Sequence, residues 1–276
     1  MKIYKYASVL TIAGSDSSGG AGVQADLKTF AALGCYGTSA ITAVTVQNTL
    51  GVSAIHPVPP EIIEAQIVAV MDDIKPAAVK IGMLTNLDTV EVVALTLNHY
   101  PDIPIIVDPV MFASTGGSLA TKAAIEGIST KLFPIATLVT PNIPEATALT
   151  GNEIGDVESM RQNLPILLSY GSYAVYITGG HLSGENIINC YGDSEGHQWE
   201  NFSPFIQTNN THGTGCTLSA AIAAFMAAGQ TLQQSILLAE QYVNTAILQG
   251  KKILTGNGAG PLNHSFKPKK LIKLKF

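Results

Sequence analysis

Residues 211–225 read THGTGCTLSAAIAAF, a glycine-rich turn that runs directly into an alanine-rich segment of helical character. Glycine allows a tight turn and a close approach of the backbone to a ligand. The first amide groups of a helix have no acceptor within the helix and lie at the positive end of its dipole. The pattern therefore predicts a helix over 214–228 whose first turn binds an anion through main-chain N–H groups.

Cys216 lies in the first turn of this expected helix. The helix dipole tends to lower a thiol pKa there, so the sequence predicts a reactive thiol beside the anion. An ordinary glycine turn with a small buried cysteine is an equally good interpretation of this motif alone. His212 is a candidate base, although a histidine bonded to the loop backbone is the commoner outcome.

Composition favours one large buried core. Hydrophobic residues make up 46% of the 276 residues and charged residues 13%, and no apolar run is long enough to cross a bilayer. The net charge of −5 conceals a more acidic body, because five of the fifteen basic residues lie in the last ten positions. An acidic body argues against nucleic acid as a partner, and we expect no membrane partner either.

The cysteines indicate a reducing compartment. Cys35, Cys190 and Cys216 are odd in number and widely spaced, and they form no CxxC pair. This pattern favours reduced thiols in a cytoplasm over a disulfide frame or a zinc site.

Apolar β-branched runs alternate with helix-patterned segments, which predicts βα units around a mostly parallel sheet. The predicted strands are 7–13, 38–46, 77–82, 103–108, 135–140 and 173–178. The predicted helices are 20–33, 60–73, 86–98, 119–131, 143–149, 157–169, 214–228 and 231–249. Segments 187–192 and 198–203 read as a hairpin, the antiparallel portion of the sheet. We expect one three-layer α/β/α domain over 1–276, with the basic tail 267–276 solvated and partly ordered or, alternatively, ending in an edge strand.

Polar residues gather in the loops that follow the predicted strands, where ligands bind in such sheets. The Gln47 amide offers both a donor and an acceptor to a ring nitrogen and an exocyclic amine, and bonding to the loop backbone is the alternative. Asp108 ends one strand, and Asn142 with Glu145 forms an N-x-x-E turn after another. Oxygen ligands at adjacent strand ends suit Mg²⁺, although each carboxylate taken alone fits a capping role.

Other ligand-binding motifs receive less support. GAGVQA at 20–25 fits the dinucleotide pattern GxGxxA, but no carboxylate lies between Asp26 and Glu61 to hold a ribose. The P-loop, HExxH and GxSxG patterns are absent from the sequence. Asp26 suits the dipole of its helix, and the alternative is a hydrogen bond to a substrate amine or hydroxyl. With Arg161 as the one arginine, backbone amides, lysine and a divalent cation would have to neutralise bound phosphates.

Six segments carry a family resemblance: GSDSSGGAGVQAD at 14–26, QNT at 47–49, KIGML at 80–84, DPVM at 108–111, TPNIPE at 140–145 and THGTGC at 211–216. In this order they resemble the hydroxymethylpyrimidine/phosphomethylpyrimidine kinases of thiamine synthesis. That family belongs to the ribokinase superfamily, together with similar pyridoxine kinases. The resemblance covers essentially the whole chain. It implies a ribokinase-like fold and an ATP- and Mg²⁺-dependent kinase of 4-amino-5-hydroxymethyl-2-methylpyrimidine and then of its monophosphate.

The resemblance also implies roles for individual residues. Those expected to hold the pyrimidine or line its pocket are Gln47, Asp26, Gly14, Met83 and Val110. Those expected at the nucleotide are Asn142, Thr178 and Gly180, and those expected at Mg²⁺ are Asp108 and Glu145. The transfer itself is expected to use the amides of Gly213, Thr214, Gly215 and Cys216, with Cys216 also taking the substrate hydroxyl proton. A homodimer is implied as well.

Two departures from the family pattern concern the nucleotide. Thr178 and Asn257 stand where relatives often have lysine, which removes positive charge near the expected nucleotide site. Two alternatives therefore stay open beside the pyrimidine kinase. One is a pyridoxine or pyridoxal kinase, whose pocket is similar in size, and the other is a non-catalytic protein that binds a vitamin precursor.

Overall fold

Strands and helices alternate along most of the chain, as the sequence predicts. The structure is a computed structural model that describes residues 3–113, 116–182 and 184–275, so the ends of the predicted domain, 1–2 and 276, lie outside it. The strands are β1 (Tyr4–Tyr6), β2 (Ser8–Asp16), β3 (Tyr36–Asn48), β4 (Gly51–Pro57), β5 (Ala78–Ile81), β6 (Ile105–Val107), β7 (Phe112–Ala113), β8 (Gly117–Ser118), β9 (Leu138–Val139), β10 (Ala174–Ile177), β11 (Asn186–Asp193), β12 (Gln198–Pro204) and β13 (Lys273–Lys275). The helices are α1 (Gly22–Leu33), α2 (Pro60–Asp73), α3 (Leu87–Leu97), α4 (Lys122–Gly127), α5 (Ile143–Thr150), α6 (Val157–Leu168), α7 (Thr214–Ala227) and α8 (Leu232–Gly250).

In the described part of the chain, nine strands form the central sheet in the order β12-β11-β10-β9-β6-β5-β2-β3-β4. The six strands from β10 to β3 run parallel, and the predicted hairpin, β11 with β12, pairs antiparallel at one edge. At the other edge β4 also pairs antiparallel with β3. β4 was not among the predicted strands, because a mostly solvent-accessible edge strand lacks the apolar run of a buried one.

Helices cover both faces of the sheet and give the three layers that the sequence predicts. Successive residues of β2 point to opposite faces, so Val9 packs beneath α1, α7 and α8, while Leu10 and Ile12 pack beneath α2 to α6. Because both faces are covered, the central strands are mostly apolar rather than alternating, with Lys80 in β5 and Thr11 in β2 as buried exceptions. The carboxyl ends of the parallel strands are left open to solvent on one side of the molecule.

The turn before α7 is held against the loop that follows β2. Gly213 has φ 84°, a left-handed backbone that favours glycine, and a Cβ added there would collide with the carbonyl oxygen of Gly20. The alanines of α7 let this helix pack closely between α1 and α8. Together these contacts place the first turn of α7 at the open edge of the sheet.

Two sequence predictions are corrected in part. The predicted helix 119–131 is instead the short α4, capped by Thr121, followed by a π-helical turn over Ile128–Leu132. The basic tail is not solvated throughout, because β13 pairs antiparallel with β1 and the Ile272 amide donates to the Gly34 carbonyl at 2.8 Å. Ile272 and Leu274 pack against the core, and the tail ends in a strand, as the alternative prediction has it, although β13 and β1 form a separate two-stranded sheet.

Candidate active site

A cleft of about 480 Å³ lies beyond the carboxyl ends of the parallel strands. This volume is within the range of small-molecule sites. The sequence-predicted residues that line it are Gly14, Gln47, Met83, Asp108, Val110, Asn142, Glu145, Gly213, Thr214, Gly215 and Cys216. The Gln47 loop and the glycine turn thus face one shared space, as the sequence analysis requires. Gln47 Nε2 lies 3.3 Å from Nε2 of His212, the residue before that turn.

The first turn of α7 presents main-chain donors to this cleft. Thr214 N–H donates to the carbonyl of Thr211 at 3.2 Å, so its amide is already engaged. Gly215 and Cys216 follow in the first turn, where the helix itself offers their amides no acceptor. The anion-binding part of the turn is therefore expected at these two amides, with the positive end of the helix dipole behind them.

A buried lysine lies at the base of the cleft. Lys80 is 0% exposed, and its Nζ lies 2.9 Å and 3.1 Å from the two carboxylate oxygens of Asp26 and 4.0 Å from Oδ2 of Asp108. Burial lowers the pKa of Lys80, but the charges of Asp26 and Asp108 outweigh it and hold the pKa above its usual value. Lys80 therefore remains a fixed positive charge beside the glycine turn.

Asp26 does not contact the cleft, and its predicted role as a direct substrate ligand is corrected on that ground. Its side chain is fully buried, and its carboxylate accepts hydrogen bonds from Thr11 Oγ1 at 2.6 Å and from Lys80. Burial raises its pKa, although the nearby Lys80 charge opposes that shift. Asp26 acts on the cleft through the lysine that it positions.

The Cys216 pKa is shifted in the direction opposite to the one expected from the helix dipole. Burial raises the pKa of Cys216 to about 12, and the opposing charge of Lys80 does not offset this. The charges of Asp108 and Asp26 raise the thiol pKa further, and the Gly22 amide opposes that shift. The prediction considered the helix dipole alone, whereas desolvation is the largest influence on this pKa. At neutral pH the group is a neutral thiol.

Asp108 and Glu145 form a pair of buried carboxyl groups. Ser219 Oγ donates to Asp108 Oδ2 at 3.1 Å, and the Met111 amide donates to Glu145 Oε1 at 3.4 Å. Burial and then the charge of Asp108 raise the pKa of Glu145 to about 8, and burial raises the pKa of Asp108 as well. A cation bound between these two carboxyl groups would stabilise their ionised forms and so lower both pKa values.

Asn142 caps α5 rather than offering its whole side chain to a ligand. Its Oδ1 accepts from the Glu145 amide at 3.0 Å, while Glu145 Oε2 accepts from the Asn142 amide at 2.9 Å. This capping box fixes both side chains at the mouth of the cleft. Among residues 3–113, 116–182 and 184–275, no group of three or more His, Cys, Asp or Glu side chains could hold a metal ion.

The remaining predicted nucleotide residues lie outside the cleft lining. Thr178 donates its amide to Pro141 O at 2.9 Å and forms a strand-like bridge with Asn142, so it lies beside that residue. Gly180 is exposed next to His181, which does line the cleft. The loop that carries Asn257 packs on Thr49 instead, with the Ala259 amide 3.0 Å from Thr49 O.

Sequence reasoning missed Asp16 and Lys80 as site residues. Asp16 Oδ2 lies 2.9 Å from His212 Nε2, so the histidine contacts an acid and the Gln47 amide as well as loop backbone. The signal for Lys80 was a lysine inside an otherwise apolar strand, since lysine is seldom fully buried unless it is paired. Asp16 offered no signal beyond its glycine- and serine-rich loop.

The family model described as phosphomethylpyrimidine kinase matches residues 16–263. A hydroxymethylpyrimidine/phosphomethylpyrimidine kinase of Haemophilus influenzae is 47% identical over 259 residues, which cover 93% of this chain and 96% of that protein. A thiamine biosynthesis bifunctional protein of Geobacter sulfurreducens is 46% identical over 258 residues, 93% of this chain but only 52% of its own length, so the chain spans about half of that relative.

Among solved structures, an ADP complex of Bacillus subtilis pyridoxal kinase superposes with a TM-score of 0.86 at 35% identity, over 95% of this chain and 98% of that one. The chain belongs to the phosphomethylpyrimidine kinase family. It has the ribokinase-like α/β fold and is a phosphotransferase, which removes the alternative of a non-catalytic binding protein.

Proposed function

We propose that this protein transfers the γ-phosphoryl group of ATP to the hydroxymethyl group of 4-amino-5-hydroxymethyl-2-methylpyrimidine, and then a second phosphoryl group to the monophosphate. The observation that carries the proposal is the shared cleft, in which the Gln47 amide faces the first turn of α7. Coupled measurement of ADP release with each substrate, followed by mass analysis of the product, tests it. Absence of turnover with both substrates would remove the proposal.

Catalysis in this arrangement rests on positioning and electrostatics, as is usual for phosphoryl transfer. The amides of Gly215 and Cys216 and the Lys80 charge stabilise negative charge on the transferred group. Cys216 takes the substrate hydroxyl proton once its thiol has released its own proton, and the Lys80 charge favours the thiolate that does so. Gln47, Met83 and Gly14 hold the ring so that its hydroxymethyl group faces the turn.

Asp108 and Glu145 fit a Mg²⁺ ion, since this ion is often bound by one or two carboxylates together with substrate phosphates. When bound, the ion would neutralise charge on the phosphates during transfer. Glu145→Gln removes one carboxylate while its size is kept. The variant is expected to need more Mg²⁺ for half-maximal rate, and a titration curve identical to that of the unchanged protein would refute the assignment.

At the nucleotide, Asn142, Thr178 and Gly180 form the expected binding edge around His181. Thr178 supplies no charge there, so we expect weak nucleotide affinity and a slow second step, whose substrate is more highly charged. Thr178→Lys is the direct test. It should lower the KM for ATP, and an unchanged KM would show that position 178 does not approach the nucleotide.

A pyridoxal kinase is the second candidate, favoured by the close superposition on the Bacillus subtilis enzyme. The two activities are separated by comparing kcat/KM for the hydroxymethylpyrimidine and for pyridoxal under identical conditions. A higher value for pyridoxal would replace the proposed substrate without changing the class of enzyme.

We infer a cytoplasmic homodimer. The β3–β4 edge exposes an apolar patch, with Val44 49%, Val46 60% and Leu50 65% exposed, and a second copy would cover it. Val46→Lys should convert a dimer to a monomer in light scattering, whereas a protein that is monomeric without the change contradicts the inference. Cys35, Cys190 and Cys216 are free thiols, in keeping with a reducing compartment. In the described residues, no helix combines the length and apolar character needed to span a membrane.

A further inference from the structure

Asp16 is surrounded by hydrogen-bond donors. Its Oδ1 accepts from the Ser18 amide at 2.8 Å, and its Oδ2 accepts from the amides of Gly20 at 3.1 Å and Ala21 at 2.8 Å. Burial raises the pKa of Asp16, but hydrogen bonds from His212, Ser18 and Ala21 outweigh it and hold the pKa well below its usual value. The group is therefore a carboxylate, which can only accept hydrogen bonds.

The carboxylate determines which ring nitrogen of His212 carries a proton. His212 Nε2 lies 2.9 Å from Asp16 Oδ2, and two atoms that could only accept would repel each other at that distance. Nε2 must therefore bear the hydrogen and donate it to Asp16. The histidine is 7% exposed, and its own amide donates to the carbonyl of Gly260 at 3.1 Å, so its position is fixed by the backbone as well.

This proton in turn determines how the Gln47 amide is oriented. If the atom of the Gln47 amide that lies 3.3 Å from His212 Nε2 is its nitrogen, an N–H of Gln47 and the N–H of His212 face each other. The single hydroxyl proton of Thr45 would also have to serve both Ser15 O at 2.9 Å and Gln47 Oε1 at 3.1 Å. Turning the amide by half a rotation removes the contact between two donors and leaves the Thr45 hydroxyl proton to Ser15 O alone. The Gln47 oxygen then shares the His212 Nε2 hydrogen with Asp16 Oδ2 in a three-centre bond, and the Gln47 nitrogen donates to Thr45 Oγ1.

We propose that the Asp16–His212 pair fixes the orientation of the Gln47 amide and thereby makes the cleft selective for a ring edge with a donor amine next to an acceptor nitrogen. In this orientation one lone pair of the oxygen and one hydrogen of the nitrogen remain for a ligand. The inference rests on the proposed function, in which the hydroxymethyl group must face the glycine turn. The ring therefore cannot turn over to suit a reversed amide. Asp16 and His212 are positioning residues that act through Gln47.

The test compares two ligands that differ in the order of donor and acceptor. The 4-amino pyrimidine offers an amine donor and a ring acceptor, and its 4-oxo analogue offers a carbonyl acceptor and a ring N–H donor. Binding of each is measured by calorimetry without ATP, so the readout does not depend on turnover. The unchanged protein is expected to favour the amino ligand by about tenfold or more, as one or two mismatched hydrogen bonds impose.

Two substitutions at one position separate the proton from the bulk of the side chain. His212→Leu removes the donor, so the Gln47 amide is free to rotate. The ratio of this variant's affinities for the amino and oxo ligands should fall to within about threefold of unity. His212→Gln carries a terminal N–H near the place of Nε2 and should keep most of the preference. If the leucine variant keeps the full ratio, or if the unchanged protein does not discriminate or binds neither ligand, the inference is overturned.

Failure of the inference and failure of the proposed function are distinguishable. Selective binding of the amino ligand without phosphorylation would overturn the function and leave the inference intact. Turnover of the amino ligand, together with an unchanged affinity ratio in the leucine variant, would overturn the inference and leave the proposed function intact. Should that variant not fold, Thr45→Val removes the second partner of the amide and should lower the same ratio.

A second measurement uses the unchanged protein alone. In ¹⁵N-histidine-labelled protein, the signals of His212 are assigned by their absence from the His212→Gln variant. Nε2 is expected to bear a proton at neutral pH. A ring with no proton on Nε2 would refute the proposed orientation of the amide, whatever the ligands do.

Discussion

Gly215→Ala separates the chemistry of the glycine turn from its folding. A Cβ at Gly215 would meet only the two carboxylate oxygens of Asp108, at 3.9 Å and 4.0 Å, so the methyl group fits the protein. Because Gly215 lies in the first turn of α7, replacement by alanine should stabilise the fold by up to about 0.5–1 kcal/mol. The methyl group nevertheless occupies the gap between the turn and Asp108, where a phosphoryl oxygen must approach the amide. Loss of such a donor costs about 10²–10³-fold in rate.

The control is Gly213→Ala, two residues earlier. Its left-handed backbone alone costs alanine about 1–2 kcal/mol, and the collision with the Gly20 carbonyl adds to this. Unfolding in urea and steady-state kinetics on both variants give the comparison. We expect Gly213→Ala to lose stability and Gly215→Ala to lose rate without losing stability. A Gly215→Ala protein with unchanged kcat/KM would refute the assignment of an anion site to this turn.

Three further changes test other parts of the site and fold. Cys216→Ala should lower kcat by about 10²–10⁴-fold and leave the KM for the pyrimidine nearly unchanged, whereas a loss confined to KM would mean that the side chain serves binding. Lys80→Met should lower the free energy of unfolding by about 3–5 kcal/mol because it leaves Asp26 buried without its cation, and adding Asp26→Asn should restore part of the loss. Burial raises the pKa of Glu240 to about 7, so the native state binds a proton that the unfolded chain has released, and stability should fall as pH rises from about 4.5 to about 7. The fall amounts to at most roughly 3 kcal/mol, and Glu240→Gln should flatten it. If urea unfolding gives this variant the same dependence of unfolding free energy on pH, Glu240 is not the cause.

The parts of the fold that local signals determine could be predicted from the sequence. The turn before α7 and the β11–β12 hairpin both depend on glycines at defined places next to periodic apolar residues. The two carboxylates at the edge of the sheet, Asp108 and Glu145, could also be predicted, because each follows a recognisable strand. In each case the signal for a residue lies within a few positions of that residue.

What the sequence could not provide depends on contacts between distant residues. Asp26 and Lys80 are separated by 54 positions, and only the folded chain shows that each neutralises the other. The Cys216 pKa was mispredicted because burial outweighs a helix dipole, and burial is a property of the whole structure. Nothing in the local sequence indicated that His212 contacts Asp16, which lies 196 positions away.

The backbone contact between Gly20 and Gly213 limits how this enzyme can acquire new substrates. Two main-chain segments are in contact there with no side chain between them, so there is no space for a larger residue or an insertion in either segment. A change that enlarges the ring pocket from that side would also shift the amides that act on the phosphate. Engineering of substrate range is therefore better directed at Met83 and Val110, which border the cleft from the loops after β5 and β6.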